Sequence, residues 1–365
     1  MKNCMGMVFM RIEKLQALLR QSETLDGALI VSPENRRYFT GFPSSDGYLL
    51  VSADRAVFVT DSRYFEAACQ KAAGCEIVLQ STDRGQLKAL FSEMGVRRIG
   101  IEASRMSLSA FARCTEILAP LELSADNTLD LLIHALRAVK TADEVERIEC
   151  AQRIAEQAFA HICNFIEPGK TEREVALELD FFMLSHGAEA LSFETIAVSG
   201  ANSSKPHGVP GDKKIEPGDF VTMDFGAVVD GYHSDMTRTV AVGKVSEKQK
   251  EVYAVVLEAQ TEAVKVLKAG LPCCEADAAA RGVIDRAGYG ACFGHSTGHG
   301  VGIEIHERPN LAPRAKDALV AGNVVTVEPG IYLPGEFGVR TEDMAFITAE
   351  GCRNLTNCPK ALAVL

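Results

Sequence analysis

A chain of 365 residues, 47% hydrophobic and 24% charged, has the composition of a folded globular protein, too long for one hydrophobic core and so expected to divide into two domains. Its formal net charge of −11 and pI of about 5.3 repel phosphate backbones, and no Lys/Arg stripe offsets that balance, so nucleic acid is not an expected partner. Eleven scattered cysteines, with one adjacent pair (Cys273 and Cys274) and no CxxC spacing, read as reduced, buried thiols and point to the cytoplasm.

At the N-terminus the apolar stretch of MKNCMGMVFM is cut short by RIEK and is too brief for a secretory signal, while Met5, Met7 and Met10 each offer an alternative start. No run reaches the roughly 20 apolar residues of a membrane helix, so a soluble protein is expected. From about Met10 to Leu123, β-rich runs at 27–31, 48–52, 56–60 and 97–102 alternate with helical spacing at 62–73 and 83–95. That alternation predicts a three-layer α/β domain over residues 1–127. Ser124 to Lys140 carries no strong regular signal and is expected to hold the interdomain connection.

The second domain, 128–365, reads as α+β. Thr141 with Glu144, and Thr171 with Glu174, have capping-box spacing. They predict one helix ending before Pro168-Gly169 and another closing near Gly187. Further helices are expected at about 247–269 and 275–287. The polar residues of chemical interest fall in the β-rich stretches between them.

In VTMDFGAVVDGYHSDMTRTVAV, two β-rich runs flank Asp230-Gly231, a dipeptide suited to a two-residue type I′ turn. If Val229 faces Tyr232, then Gly226 faces Asp235, and Asp224 shares a face with Asp235 as its diagonal neighbour. Two carboxylates converging there repel unless a cation lies between them, although on this segment alone they read equally as solvent-facing acids. His233 lies nearer the turn and reads as peripheral. His295, His299 and His306 cluster among glycines, whose small size lets the backbone come close to a metal or substrate. In NVVTVEPGIYLPGEFGVRTEDMAFI, one strand ends at Glu328 before Pro329-Gly330. A second carries Arg340 and Glu342, two apart and therefore on one side. Acids in such apolar runs need partners. Asp224, Asp235, Glu328 and Glu342 balance the charge of two divalent cations. An oxygen-rich donor set with one imidazole favours manganese, cobalt or iron, with zinc still admissible. Such a pair holds a bridging water, lowers its pKa and polarises a carbonyl.

With SSKPHG, MDFGA, SDMTRT, GHGVGIEIHE, VEPGIY and VRTEDM in this order, the chain resembles the metal-dependent peptidases of the pita-bread fold, which include Xaa-Pro dipeptidase, aminopeptidase P and methionine aminopeptidase. The resemblance implies that Asp224, Asp235, His299, Glu328 and Glu342 hold two divalent ions, manganese foremost, with Asp235 and Glu342 bridging. It implies that Glu328 doubles as general base, and that His207 and His306 contact substrate and steady an oxyanion. His295, Tyr332 and Arg340 match positions that contact substrate or support the ligands. A preceding creatinase-like α/β domain is typical of the Xaa-Pro enzymes, where it helps close the site, often across a homodimer. Methionine aminopeptidases generally lack it. The implied substrate is a short proline-containing peptide, whose Xaa-Pro bond has no N–H for other peptidases to grip. Two rivals share the architecture, a metal-free creatinase-like amidinohydrolase and a non-enzymatic interaction module. Both predict replaced ligands, and none of the five is replaced.

Overall fold

The computed structural model describes residues 2–365, with side chains from Met10 onward, so the alternative starts Met5 and Met7 lie outside the described side chains. Two compact units divide the chain, Met1–Arg137 and Ala138–Leu365. The first runs α1 (Lys2–Gln21), β1 (Gly27–Ile30), α2 (Pro33–Thr40), β2 (Tyr48–Ser52), β3 (Ala56–Thr60), α3 (Phe65–Lys71), β4 (Glu76–Leu79), α4 (Gln86–Glu93), β5 (Arg98–Ile101), α5 (Leu108–Leu118), β6 (Glu122–Ser124) and α6 (Thr128–Ala138). Its single mixed sheet has the order β4-β3-β2-β1-β5-β6. The central strands β1 and β3 are buried at every position, as four- or five-residue apolar runs require. The four β-rich runs of the sequence are β1, β2, β3 and β5.

Two edge strands and one helix carry weaker signals. β4 and β6 are half exposed, so their residues alternate poorly. The stretch without a strong regular signal, Ser124 to Lys140, contains α6. Its Leu129, Leu132, Ile133 and Leu136 recur at helical spacing, with Leu129 and Ile133 buried. The compact units accordingly part after α6, near Arg137, rather than before it at 127/128.

The second unit opens with α7 (Ala142–Phe165) and α8 (Glu172–Ser185), each started by a complete capping box, Thr141 with Glu144 and Thr171 with Glu174. There follow β7 (Ala190–Leu191), β8 (Ile196–Ser199), a 3-10 turn at Gly200–Ser204, β9 (Phe220–Phe225), β10 (Ala227–Val229), β11 (Tyr232–His233) and β12 (Met236–Ala241). Then come α9 (Glu247–Val266), α10 (Cys273–Arg286), β13 (Gly298–Gly300), β14 (Glu307–Leu311), β15 (Val324–Val327), β16 (Gly330–Leu333), β17 (Phe337–Arg340), β18 (Asp343–Ile347) and β19 (Cys352–Asn354). Ala155, Ile162, Val175 and Leu179 of α7 and α8 pack on Val221, Met223 and Val240 of the sheet β8-β9-β12. Val252, Val256, Ala280 and Ile284 of α9 and α10 pack on Val325, Val327, Ala345 and Ile347 of the sheet β14-β13-β15-β18-β19. The helices thus shield the two sheets from outside and leave their polar faces to the interior cavity.

The described cysteines are free thiols; Cys273 and Cys358 are buried, but Cys69 and Cys150 are exposed, so the expectation of buried thiols holds only in part. Among the described residues no helix is long and apolar enough to cross a membrane.

Candidate metal centre

In the first half of this unit the acids are placed by a hairpin. Asp230 (φ 49°) and Gly231 (φ 84°) both take the left-handed conformation that a type I′ turn demands. The register is the one the sequence implies: Val229 faces Tyr232 and Val228 faces His233, and beyond a break Phe225 faces Met236 and Asp224 faces Thr237. At the break β10 and β11 leave for one sheet, while β9 and β12 continue in another. The backbones come so close that a Cβ on Gly226 would lie 2.0 Å from the carbonyl oxygen of Ser234. Asp224 and Asp235 reach the same cavity. His233 stays outside it and bonds Ser192 Oγ through Nδ1 at 2.8 Å.

In the second half β15 and β18 pair with Val327 opposite Asp343. Glu328 stands one residue beyond that pair and Glu342 one residue before it, so the two carboxylates emerge side by side. Arg340 and Glu342 do not lie in one strand, as the sequence suggested. β17 ends at Arg340 and β18 begins at Asp343, with Glu342 in the junction, yet both side chains line the cavity. His299 comes from β13 and is fixed to β15 by its N–H, which donates to Thr326 Oγ1 at 3.1 Å.

The cavity has a volume of about 710 Å³ and is lined by all five expected ligands, Asp224, Asp235, His299, Glu328 and Glu342, and by His207, His295, His306 and Arg340. Tyr332 does not line it. It is buried behind the wall, where its hydroxyl accepts from Arg340 Nη1 at 2.7 Å and donates to His295 Nε2 at 2.9 Å. His295 Nδ1 in turn donates to the Ser296 carbonyl at 2.8 Å, so both ring nitrogens are engaged and the imidazole meets the cavity without a free donor. Burial, reinforced by Arg340, lowers the His295 pKa to about 4 and keeps the ring neutral.

The donor atoms fit a cation. His299 Nδ1 donates to the Gly300 carbonyl at 3.1 Å, and desolvation lowers the pKa of the ring to about 4, so Nε2 carries a bare lone pair. That lone pair faces Asp235 Oδ2 at 3.5 Å and Glu328 Oε1 at 3.4 Å, an arrangement of acceptors that only a positive charge reconciles. Ligand atoms of Asp235, His299 and Glu342 lie within 4.8 Å of one another. Asp224 Oδ1 and Glu342 Oε1 are buried with no hydrogen-bond partner. Without a cation, desolvation pushes the Glu328 carboxyl up to about 8, with Asp224 adding to the rise. Desolvation and then the neighbouring acids raise Asp235 and Glu342 well above the carboxylate range.

A supporting frame surrounds these donors. Thr237 Oγ1 donates to Glu342 Oε2 at 2.7 Å and accepts from Arg340 Nε at 3.0 Å, while Arg340 Nη2 donates to Asp224 Oδ2 at 2.6 Å. Arg340 Nη1 also donates to the Pro206 carbonyl at 3.2 Å and so steadies the turn that presents His207. Arg238, 1% exposed, donates to the Glu342 carbonyl, to Asp343 Oδ1 at 2.8 Å and to the carbonyls of Cys358 and Pro359. Sequence reasoning passed over Thr237, Arg238 and Asp343 as roles. The motifs that contain them, SDMTRT and VRTEDM, are themselves mostly polar, so no local pattern set these three residues apart.

Buried acids gathered about a bare imidazole nitrogen are the donor set of a metal site. Residues 146–349 match the metallopeptidase family M24, and residues 11–139 match the creatinase/prolidase N-terminal domain. The chain is similar to the structure of an Xaa-Pro dipeptidase from Bacillus anthracis, with 44% identity, a TM-score of 0.93, and coverage of 98% of this chain and 100% of that one. An X-Pro aminopeptidase structure from Thermotoga maritima shares 37% identity with a TM-score of 0.87, over 93% and 98% of the two chains. The Xaa-Pro dipeptidase of Pyrococcus furiosus is 39% identical over 96% of this chain and 99% of its own length. The chain belongs to metallopeptidase family M24, with a creatinase-type N-terminal domain followed by the pita-bread domain.

Proposed function

We propose that this protein is a dinuclear-metal hydrolase that cleaves the peptide bond before proline, with Xaa-Pro dipeptides as its substrates. The observation that carries the reading is the convergence of ligand atoms, in which His299 Nε2 and the buried, unpartnered Asp224 Oδ1 and Glu342 Oε1 meet in one cavity beside Asp235 and Glu328. Asp224, Asp235, His299, Glu328 and Glu342 would hold two divalent ions, with manganese favoured by the oxygen-rich set. When bound, such a pair supplies a Lewis acid for the scissile carbonyl and a water acidified towards neutrality.

The chain's own groups perform the remaining tasks. Glu328 takes a proton from the attacking water at its carboxylate and delivers it to the departing proline nitrogen. His306, whose ring meets that of His299 edge-on at 4.5 Å, and His207 on the facing turn offer N–H donors where charge gathers on the carbonyl oxygen. Phe193, Ile196, Val209, Pro210 and Ile305 give the cavity an apolar wall suited to a proline ring. Attack on an Xaa-Pro bond needs no hydrogen bond from the scissile amide, which has no N–H. The dipeptidases among the similar proteins support the choice of dipeptides. On the family resemblance the active species is a homodimer, and the free thiols support a cytoplasmic location.

The test is metal and product analysis of the purified protein with Ala-Pro, Gly-Pro and Xaa-Pro-Yaa peptides in manganese, cobalt and zinc. Free proline should appear from the dipeptides once two ions are bound per chain. Cleavage restricted to the tripeptides would make it an aminopeptidase instead. Full activity after metal removal, or hydrolysis of none of these peptides, would overturn the reading.

A further inference from the structure

Lys140 neither lines the cavity nor offers a metal ligand, yet its side chain is 1% exposed and is paired with that of Glu307, 4% exposed, at 3.0 Å between Nζ and Oε2. Taking two charges out of water is costly, and a pair of apolar residues would serve stability as well or better. The surroundings show what the pair does. Glu307 Oε1 accepts the N–H of Glu304 at 3.1 Å, and the Gly302 N–H donates to the Glu304 carbonyl at 3.0 Å. The Gly302 carbonyl accepts from the His233 N–H at 2.9 Å. A Cβ on Gly302 would lie 2.6 Å from the Glu307 carboxylate, so the missing side chain is what lets the acid sit against the turn. The carboxylate is therefore the hub of the 302–307 turn, and Ile305 and His306 are the residues that this turn presents to the cavity.

The cation is anchored as firmly as the anion. The Lys140 N–H donates to the Gly322 carbonyl at 2.8 Å, and Asn323 Nδ2 donates to the Ala138 carbonyl at 2.9 Å. Residues 322–323 lead directly into β15, the strand that ends at Glu328. The ammonium thus belongs to the same rigid frame as the ligands, and it reaches out to the turn bearing His306.

We propose that Lys140 is a positioning residue, which through Glu307 holds the 302–307 turn so that the His306 imidazole stands correctly against the substrate carbonyl. This rests on the role given to His306 above. Lys140→Met keeps the aliphatic stem and removes the charge. It should lower kcat on an Xaa-Pro dipeptide by roughly 10- to 100-fold, the scale expected for a small displacement of a working group, with KM and bound metal almost unchanged.

The decisive comparison is a double-mutant cycle. In a His306→Ala background Lys140→Met should have no further effect on kcat, because the position of an absent ring no longer matters. An equal fold-loss in both backgrounds, or loss of metal in Lys140→Met alone, would overturn the proposal in favour of general support of the fold or the centre. Should the buried carboxylate without this partner prevent folding, the pair Lys140→Met/Glu307→Gln, neutral on both sides, takes its place in the same cycle with the same expected non-additivity. A slow His306→Ala beside a fully active Lys140→Met would remove only the role of Lys140. An unimpaired His306→Ala would remove His306 from the mechanism, and the proposal with it.

Discussion

In the half of the second unit built on α7 and α8, Asp224 and Asp235 sit on strands joined by a two-residue turn, and the turn alone sets their register. In the half built on α9 and α10, Glu328 and Glu342 are separated by the whole β16-β17 hairpin and meet only because Val327 pairs with Asp343 across the sheet. Both halves deliver two carboxylates to one cavity. The first does so through local chain geometry, the second through tertiary pairing, and Thr237 of β12 joins them by its bonds to Glu342 and Arg340.

If the halves are equal partners in holding cations, Asp235→Ala and Glu342→Ala should be equally severe. Each should cost roughly 10³-fold or more in kcat/KM on an Xaa-Pro dipeptide and release metal, as the ligand role proposed for both implies. A variant of either kind that kept a tenth of the rate would break the symmetry. Next in size is Thr237→Val, which removes the hydroxyl shared by the halves. A loss of about 10- to 100-fold in metal affinity or activity is expected, read by metal titration followed by assay.

Gly226→Ala probes the hairpin half alone. Its Cβ would strike the Ser234 carbonyl, and separating the strands should cost about 1–3 kcal/mol in denaturant unfolding, with Asp224 and Asp235 displaced as a result. A fully stable variant would mean that the break in the ladder is softer than its geometry.

The smallest effect is on pH dependence, and it tests whether the acids of both halves share one charge problem. In cation-free protein the Glu328 carboxyl rises from 4.5 to about 8, so between pH 6.5 and 8 the folded state keeps a proton that the unfolded state has lost, and Asp235 and Glu342 are raised in the same direction. Stability must then fall as pH rises through that window, by at most about 1.4 kcal/mol per pH unit for each proton kept. His295 and His299, lowered to about 4 from 6.5, act in the opposite sense only below 6.5. Manganese should abolish the decline, so the Tm gap between loaded and stripped protein should widen from pH 6.5 to 8. A constant gap would contradict the buried-acid account.

The same contrast explains what was legible in the sequence. Asp230-Gly231 encodes its turn in two residues, and the capping boxes at Thr141 and Thr171 encode helix starts in four, so these features could be read directly. The five expected ligands came together in one cavity, as their motifs implied. The joint between Arg340 and Glu342 was read as continuous strand because period-two spacing is blind to a change of sheet. Edge strands β4 and β6 have half-exposed patterns that resemble loops, and α6 was hidden because its apolar stripe follows a polar stretch taken for a linker. Thr237 and Lys140 owe their roles to partners more than a hundred residues away, and no local spacing announces such contacts.

Arg238 gives the last residues of the chain a part in the chemistry they never touch. It clasps the carbonyls of Cys358 and Pro359 with the same guanidinium that grips the Glu342 carbonyl, while Lys360 pairs with Asp343 at 2.8 Å. The tail therefore works as a latch on the rear of the centre. Trimming the chain ahead of Cys358 would loosen the backbone of Glu342, and handles for purification belong at the opposite terminus.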